Sequence, residues 1–179
     1  MKKQVLLAGR GGQGQVLAGI ILAEAAVSYD GLHATQTQSY GPESRGGASR
    51  AEVIISDAPI DYPKVTDADL ILCMSQEAYD RYAPELGSDG IILVDETLVS
   101  EYDADSPAVI PVPITELAQK EMGRIIVANM VALGVLVALT SVVSMEAARR
   151  AIENSVPPGT EKLNLKAFEL GVTTAEKLG

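Results

Sequence analysis

The sequence contains 179 residues, of which 47% are hydrophobic, so its composition suits one compact domain and is too apolar for a disordered chain. Its 24 acidic and 14 basic residues give a formal charge of −10, and a field of that sign argues against binding nucleic acid or anionic membranes. A single cysteine, Cys73, and a single histidine, His33, exclude an internal disulfide framework, a Cys/His zinc site and a self-contained iron–sulfur cluster.

The first predicted unit is a strand, a glycine-rich turn and a helix. Residues 4–8 form a short apolar run, typical of a buried strand, and glycines follow it at once. Residues 14–28 are rich in Ala, Leu and Ile without a helix breaker, so they predict a helix packed on the sheet and closed by Gly31. Because the first apolar run is too short for a signal peptide, we expect a cytoplasmic protein.

Residues 32–56 predict an antiparallel hairpin with a long tip. Residues 32–38 and 50–56 have strand patterns, whereas 39–49 contain glycines and a proline without apolar periodicity. A parallel pair would need a crossover of about a dozen residues, usually a helix, and no helix fits here. The prediction therefore departs from a simple Rossmann βαβ unit.

The remainder of the chain alternates between strands and helices. We predict strands at 68–74, 91–95 and 108–112, and helices at 76–82, 114–122, 125–143, 144–154 and 159–170. The apolar stretch 125–143 contains Asn129 and Gly134, and we interpret it as a buried helix rather than a membrane span. The expected fold is a single α/β domain over residues 1–179: a Rossmann-like three-layer arrangement with a mixed sheet, an antiparallel hairpin at 32–56 and a helical C-terminal third.

The first segment with chemical content is GRGGQG at residues 9–14, which matches G-x-G-x-x-G between a predicted strand and a predicted helix. Glycines let backbone amides approach a phosphate, and the helix N-terminus adds unpaired N–H groups with a partial positive charge. A dinucleotide site would also need an acidic residue after the second strand, but residues 35–38 are Thr-Gln-Thr-Gln and Asp30 lies too early. NAD binding is therefore disfavoured, while a phosphate contact, a contact with a partner's backbone and a tight turn without a ligand stay open.

The second segment is QSYGPESRGGASR at residues 38–50. Long irregular loops in compact domains are usually functional or disordered. This one offers hydroxyl groups and the pair Gly46-Gly47, whose amides can form an anion-binding concavity. Arg45 and Arg50 are candidates for clamping a phosphate or a carboxylate. A solvated hairpin tip with a contact between Glu43 and Arg45 is the alternative interpretation.

Taken together, the two glycine-rich segments resemble the gamma subunit of 2-oxoacid:ferredoxin oxidoreductases, most closely the 2-oxoglutarate branch. The resemblance covers nearly the whole chain and includes residues 129–134 and the Pro157-Pro158 pair before the last helix. Members of this family cleave a 2-oxoacid with thiamine diphosphate, transfer the acyl group to coenzyme A, release carbon dioxide and pass two electrons through iron–sulfur clusters to ferredoxin. The resemblance implies a Rossmann-like domain on the coenzyme A side of a multisubunit complex.

The resemblance also implies how the cofactors are divided among the subunits. Thiamine diphosphate and Mg are expected on the alpha and beta subunits, and the iron–sulfur clusters on the beta subunit or a ferredoxin-like delta subunit. Ferredoxin is reached through the complex. On this chain we expect no catalytic residue and no metal ligand, but support of assembly and a contact with coenzyme A. The candidates for that contact are Gly9, Gly11, Gly12, Gln13, Gly14, Ser39, Tyr40, Gly41, Arg45, Gly46 and Gly47.

Three other interpretations stay open at this stage. An enzyme of this family could act on pyruvate, a branched-chain 2-oxoacid or indolepyruvate, because substrate choice belongs largely to the thiamine-bearing subunits. The chain could be a purely structural assembly subunit, or a stand-alone nucleotide-binding oxidoreductase, against which the missing acidic residue counts. For Asp95 and Glu96, at the end of a predicted strand, we favour a turn or helix-entry role over a catalytic pair. We expect Cys73 to be a small buried apolar residue.

Overall fold

The computed structural model describes residues 1–40 and 47–178, and its centre is one six-stranded sheet with helices on both faces. The strands are β1 (Lys2–Arg10), β2 (His33–Tyr40), β3 (Ala48–Ser56), β4 (Ala68–Cys73), β5 (Leu86–Asp95) and β6 (Val109–Val112). The helices are α1 (Gln15–Glu24), α2 (Gln76–Tyr82), α3 (Ile114–Met122), α4 (Ala128–Thr140), α5 (Met145–Ser155) and α6 (Glu161–Glu176). A π-helical turn at Ala25–Tyr29 extends α1, and a single 3₁₀ turn at Ile125–Val127 precedes α4.

The sheet is mixed, in the order β2-β3-β1-β4-β5-β6. Strands β1, β4, β5 and β6 are parallel, so their carboxyl ends share one edge of the sheet. Strands β2 and β3 form the predicted antiparallel hairpin, in which His33 lies opposite Ser56 and Tyr40 lies opposite Ser49. Because β3 is also antiparallel to β1, the end of the hairpin at which β2 stops and β3 starts lies at the same edge as the end of β1. The mixed sheet and the hairpin are thus confirmed.

The two faces of the sheet are covered unequally. Helix α1 and the four helices of the C-terminal third bury the larger core, to which the sheet contributes Leu7, Val53 and Leu72. The opposite face is covered by α2, through Ala78 and Tyr82, together with loop residues. The central strand β1 is fully buried from Val5 to Ala8, which is why its sequence is continuously apolar rather than alternating.

Helices α4 and α6 cross at a pair of glycines. A Cβ atom placed on Gly134 would overlap the carbonyl oxygen of Phe168, and one placed on Gly171 would overlap the carbonyl oxygen of Val131. The two backbones therefore touch without side chains between them, and Phe168 is fully buried beside the crossing. This contact fixes how closely the two helices can pack.

Several predicted boundaries change for identifiable reasons. Helix α4 ends at Thr140 rather than at residue 143, because Ser141 has a left-handed backbone, with a φ angle of 50°. Strand β5 begins at Leu86 rather than at residue 91, because Leu86 pairs with Ala68 across a register irregularity. Helix α6 continues to Glu176, six residues beyond the predicted end. Within the described residues, no helix has both the length and the apolarity needed to span a bilayer.

Candidate functional site

The two glycine-rich segments meet at the carboxyl edge of the parallel strands. In the β1–β3 pairing, Gly9 lies opposite Ser49 and Arg10 lies opposite Ala48. Beyond that pairing, the amide nitrogen of Gly11 donates a hydrogen bond of 2.7 Å to the carbonyl oxygen of Gly47. The edge where parallel strands end is where α/β sheets generally bind ligands. The glycine turn, residues 9–14, is thus placed at the usual ligand-binding edge.

Gln13 is the residue that holds the glycine turn in place. Its side-chain oxygen accepts a hydrogen bond of 2.6 Å from the Arg10 amide, and its side-chain nitrogen donates to the carbonyl oxygen of Met74 at 2.9 Å. Its own amide donates to the carbonyl oxygen of Arg10. Gln13 therefore fastens the turn to the end of β4, and its polar groups are engaged within the protein. Its predicted contact with coenzyme A is untested, and the geometry supports a positioning role.

The remaining glycines of the turn divide into two groups. Gly9 is buried, and a Cβ atom there would overlap the side-chain oxygen of Gln13 and lie 3.1 Å from the Met74 Cβ, so its role is close packing. Gly12 and Gly14 have φ angles of 87° and 80°, in the left-handed region that favours glycine. Among the described residues, nothing accepts a hydrogen bond from the amide of either one. These two amides are the ones free to face an anion.

Helix α1 begins directly at the glycine turn without a side-chain cap. Its N-cap residue is Gly14, and Ala18 is the first residue whose amide bonds back to the Gly14 carbonyl oxygen. The preceding amides of the first turn therefore lack a helical acceptor and carry the positive end of the helix dipole. Asn129, 4% exposed at the start of α4, donates its side-chain amide to the Gly14 carbonyl oxygen at 3.2 Å. Asn129 thereby fixes the orientation of the uncapped end of α1.

Replacing Gly14 with alanine should damage this arrangement. The new Cβ would occupy a left-handed backbone position and overlap the Asn129 side-chain amide. We expect a loss of about 2 kcal/mol in the free energy of unfolding, from backbone strain and the displaced hydrogen bond together. Urea denaturation of the purified chain measures this loss. Gly12→Ala is the matched control: its φ angle is also positive, but nothing lies within 4 Å of the new Cβ. Equal losses in the two variants would contradict the role given to Asn129.

The second glycine-rich segment is only partly described. Ser39 and Tyr40 are the last residues of β2, and Tyr40 is 63% exposed at the edge that carries the glycine turn. Gly47 contributes its carbonyl oxygen to Gly11, as noted above. Three predicted contact residues, Gly41, Arg45 and Gly46, lie outside the described residues, as does the alternative contact between Glu43 and Arg45. Their roles stay predictions.

The structure does not support the interpretation of Arg50 as an anion clamp. Its guanidinium forms two hydrogen bonds, of 3.1 and 3.0 Å, with the carboxylate of Glu85, and lies 2.9 Å from Glu52. It also stacks 4.9 Å above the ring of Tyr82. Burial lowers the pKa of Arg50, but the carboxylates of Glu52 and Glu85 outweigh it and the pKa is raised. Arg50 therefore joins β3 to the segment before β5.

Two cavities flank the glycine turn and reveal residues that the sequence did not single out. One, of about 210 Å³, is largely apolar and lies toward β4; it is lined by Gly12, Gln13, Met74, Leu98, Thr115, Ile125, Ile126 and Ala128. The other, of about 250 Å³, lies toward α6; it is lined by Gly12, Gly14, Leu17, Arg124, Ile126, Val127, Asn129, Pro157, Thr160, Leu163 and Asn164. Gly12 and Ile126 border both cavities, and Ile126 is 67% exposed between them. The turn thus lies between two largely apolar recesses, of which the one toward α6 also contains Arg124, Asn129 and Asn164.

The remaining chemically suggestive residues have structural roles. Asp95 is fully buried and accepts hydrogen bonds from the Thr97 and Thr115 amides, which confirms its turn and helix-entry role. Asp30, the acidic residue nearest to the ribose position of a dinucleotide site, accepts hydrogen bonds from the amide and hydroxyl of Ser144 instead. Cys73 is buried, as predicted, and its burial raises the pKa of the thiol to about 12. The engagement of Asp30 counts further against NAD binding.

The comparisons with known proteins agree with this geometry. A family model described as pyruvate ferredoxin/flavodoxin oxidoreductase matches residues 4–174. The 2-oxoglutarate synthase subunit KorC of Methanocaldococcus jannaschii is 50% identical over 99% of this chain and 96% of its own length. The KorC subunit of Methanothermobacter marburgensis is also 50% identical, over 96% of this chain and 95% of its own length.

A solved structure shows the same fold. The gamma subunit of a keto/oxoacid ferredoxin oxidoreductase from Geobacter sulfurreducens superposes with a TM-score of 0.88 and 47% identity, over 99% of this chain and 98% of that one. The fold, with its mixed sheet and hairpin, is therefore that of an oxoacid oxidoreductase gamma subunit, as the resemblance implied. The chain belongs to the pyruvate ferredoxin/flavodoxin oxidoreductase family.

Proposed function

We propose that the chain is the gamma subunit of a 2-oxoglutarate:ferredoxin oxidoreductase. The observation that carries this proposal is the 50% identity with KorC subunits over nearly the full length of both chains. The whole complex would decarboxylate 2-oxoglutarate, join the acyl group to the thiol of coenzyme A, release carbon dioxide and pass the two electrons to ferredoxin. The bond between the carboxyl carbon and the keto carbon breaks, and a thioester bond forms.

The residues of this chain fit an accessory role in that reaction. A cluster needs several thiolate ligands, whereas the chain has one cysteine, which is buried and has a raised pKa. We therefore assign thiamine diphosphate, its Mg ion and the iron–sulfur clusters to alpha, beta and delta partner subunits. These groups supply the bond cleavage and the electron transfer. This chain supports the assembly and contributes the glycine turn.

The glycine turn is proposed to face a phosphate group of coenzyme A. The free amides of Gly12 and Gly14 and the uncapped start of α1 supply hydrogen-bond donors and partial positive charge for a phosphate. Gly11 and Gln13 support the turn from within, because their amides are bonded to Gly47 and Arg10. The segment from Ser39 to Gly47 is proposed to reach toward the active-site region shared with the partner subunits.

The function is tested by purifying the complex through a tag on this chain and assaying coenzyme A-dependent viologen reduction. We expect 2-oxoglutarate to be preferred over pyruvate, ketoisovalerate and indolepyruvate at equal concentrations. Partners with thiamine-binding and cluster-binding motifs should co-purify with the chain. Preference for another 2-oxoacid would agree with membership of the family but would contradict 2-oxoglutarate as the substrate. Failure to recover any such partner would overturn the subunit role.

Arg45 offers a test of the second glycine-rich segment. If its guanidinium contacts an anionic group of coenzyme A, Arg45→Ala should raise the KM for coenzyme A by about tenfold, because a charge-assisted hydrogen bond is lost. The kcat should change little. Steady-state assays of the assembled complex measure both constants, and Lys64→Ala, an exposed cation in the loop before β4, is the control. An unchanged KM together with normal assembly would show that Arg45 has no anion contact.

Ligand binding distinguishes a coenzyme A-binding role of this chain from a purely structural role in assembly. A ligand that binds the native state raises its melting temperature. We expect coenzyme A, but neither NAD nor NADP, to raise the melting temperature of the complex and to alter the amide resonances of this chain. Stabilisation by NAD would favour the stand-alone nucleotide-binding oxidoreductase. The absence of any response in this chain would favour an assembly role alone.

A further inference from the structure

The two edges of the sheet differ in how well they are protected from pairing with another strand. Strand β6 forms one edge; it has only four residues and contains Pro111, which has no amide N–H to donate. Strand β2 forms the other edge, and its eight residues pair with β3 in one continuous register without a bulge. Native proteins usually block an open edge with lysine, proline or a bulge. Strand β2 has none of these, and among the described residues nothing pairs with its outer side.

Helix α1 packs beside this edge and leaves one of its sides uncovered. Gly19 faces the sheet, because a Cβ atom placed there would lie 3.2 Å from the Cβ of Ala51 and 3.6 Å from the Cγ of Gln36 on β2. Ala18 and Ile21 are buried in the larger core, which also contains residues of α4 and α5. The remaining side of the helix therefore faces outward above β2. Its residues, at helical spacing, are Val16, Ile20, Ala23 and Val27.

These four residues, here called the α1 stripe, are apolar where a surface helix is normally polar. Ile20 is 43% exposed and Val27 is 52% exposed, while the other two are half-buried. Glu24 is the only charged residue of α1. A surface helix usually presents charged side chains to water, and a helix that is apolar all round is usually buried. We therefore expect another protein surface to cover the α1 stripe.

The edge strand also contains polar groups that lack a partner. The hydroxyl of Thr35 and the side-chain nitrogen of Gln36 are buried, and neither forms a hydrogen bond within the described part of the chain. Buried polar groups are normally hydrogen-bonded, because leaving one unpaired costs free energy. Thr and Gln side chains on a facing strand are able to pair with such groups. The unpaired groups thus lie on the same strand as the open backbone edge.

The distribution of charge favours a second copy of this chain as the occupant. Residues 57–123 contain 15 acidic and three basic residues, and they form α2, α3 and the strands β4, β5 and β6, toward the other end of the sheet. Residues 14–40, which include the α1 stripe and β2, contain only Glu24 and Asp30 as charged residues, and Asp30 is bonded to Ser144. Two chains of formal charge −10 can therefore meet here without strong repulsion. The edge also has little charge with which to select a basic partner.

We propose that two copies of this chain associate through β2 and the α1 stripe about a two-fold axis. The two β2 strands pair in the antiparallel direction, so the two sheets join into one continuous sheet. A register with Gln36 opposite Gln36 of the second copy places Thr35 opposite Thr37 and keeps side chains of the same face together. The two α1 helices then lie on the same side of the joined sheet, with their stripes in contact across the axis. This inference does not depend on the proposed function.

Sedimentation equilibrium of the full chain tests the association. We expect a dimer, with twice the 18.8 kDa mass of the chain. A variant that combines Ile20→Glu with Val27→Glu should weaken the dimer at least about a hundredfold, because like charges would face each other across the axis. A variant that combines Ile20→Lys with Val27→Lys should do the same. Mixing the two variants should restore a dimer with one copy of each, because opposite charges then face each other.

Tyr62→Glu is the matched control for these charge substitutions. Tyr62 is 59% exposed, but it lies in the loop before β4, whose Val65 packs in the core on the opposite face of the sheet. This variant should dimerise like the wild type, and circular dichroism should show the same helix content in all variants. A monomeric wild-type chain, charge variants as dimeric as the wild type, or no mixed dimer would overturn the proposal.

Hydrogen exchange tests the pairing of β2 apart from the contact between helices. The β2 amides that point away from β3 should exchange at least about tenfold more slowly in the wild-type dimer than in the monomeric glutamate variant. Equal exchange rates would overturn the strand pairing.

The assembled complex provides the last test of the second copy as the occupant. When two differently tagged copies are co-expressed with the partner subunits, purification through one tag should recover the other. Recovery of one kind of copy alone, with β2 protected by a partner subunit, would overturn the second copy as the occupant. A complex that oxidises 2-oxoglutarate but holds a single copy of this chain would agree with the proposed function and overturn this inference.

Discussion

Replacing Gly171 with alanine should lower the free energy of unfolding by about 3 kcal/mol or more, because the new methyl group has no space at the crossing of α4 and α6. Its Cβ would overlap the carbonyl oxygen of Val131 and lie 2.9 Å from the amide nitrogen of Val135. Both obstacles are backbone atoms within a buried helix, so no side-chain rotation relieves them. For a chain of this size, the melting temperature should fall by roughly 6–12 °C.

Gly123→Ala is the control for this substitution. Gly123 ends α3 with a φ angle of 68°, and nothing lies within 4 Å of a Cβ placed there. Its replacement should cost only about 1 kcal/mol, through backbone strain alone. Thermal and urea denaturation of both variants provide the comparison. If Gly171→Ala were no more destabilising than Gly123→Ala, the close approach of the two helices would be disproved.

The same crossing has a consequence for the candidate site. Helix α4 carries Asn129 and α6 carries Asn164, and both line the cavity beside the glycine turn. Forcing the helices apart at Gly171 should therefore widen that cavity as well as destabilise the protein. We expect Gly171→Ala, assayed well below its melting temperature, to raise the KM for coenzyme A. A stable variant with an unchanged KM would show that the cavity does not depend on the crossing.

Removing the buried carboxylate of Asp95 should have the second largest effect, about 3 kcal/mol. Asp95 is fully buried and receives the Thr97 amide, the Thr115 amide and the Thr115 hydroxyl. Asp95→Ala would leave these donors without an acceptor, and hydrogen bonds to a charged group contribute about 1.5–3 kcal/mol each. The start of α3 depends on this carboxylate, because its N-cap residue, Pro113, provides no side-chain cap.

Two further variants test whether the loss of stability in Asp95→Ala comes from the missing hydrogen-bond acceptor. Asp95→Asn keeps an acceptor oxygen at nearly the same volume, so it should cost less than Asp95→Ala. Asp103→Ala removes an exposed carboxylate that accepts only a local hydrogen bond from the Asp105 amide, at 3.3 Å, and should cost less than about 1 kcal/mol. Urea denaturation midpoints rank the stabilities of Asp95→Ala, Asp95→Asn and Asp103→Ala. An Asp95→Ala variant as stable as Asp103→Ala would contradict the assigned role.

Local patterns predicted the parts of the site that are continuous in sequence. GRGGQG between an apolar strand and a breaker-free helix predicted the strand–turn–helix unit, and the structure confirms it. The absence of a helical pattern between residues 32 and 56 predicted the antiparallel hairpin, which the register confirms from His33 to Tyr40. Both succeeded because turn chemistry and residue periodicity are properties of neighbouring residues.

Sequence reasoning predicted the contacts of individual side chains less well than it predicted the strands and helices. Arg50 was a candidate anion clamp, but it forms ion pairs with Glu52 and Glu85. The alternation along β3 places Glu52 on the same face as Arg50, which is a signal the sequence contains. Glu85 is 35 residues away and becomes a neighbour only through the packing of β5 and the segment before it. An arginine near a glycine loop is therefore only a candidate anion-binding residue until its neighbours across the sheet are known.

The sequence by itself determined the fold class, the placement of both glycine-rich segments and the family, because short-range patterns and long shared motifs carry that information. Its single cysteine and single histidine cannot hold an iron–sulfur cluster by themselves, which is why we propose that the redox cofactors lie on other chains. Only the tertiary structure brought Arg124, Asn129 and Asn164 to the glycine turn; the Asn129 hydrogen bond to Gly14 spans 115 positions. The physical reason is that these residues are far apart in the sequence and meet only through the packing of α1, α4 and α6, which no local pattern encodes.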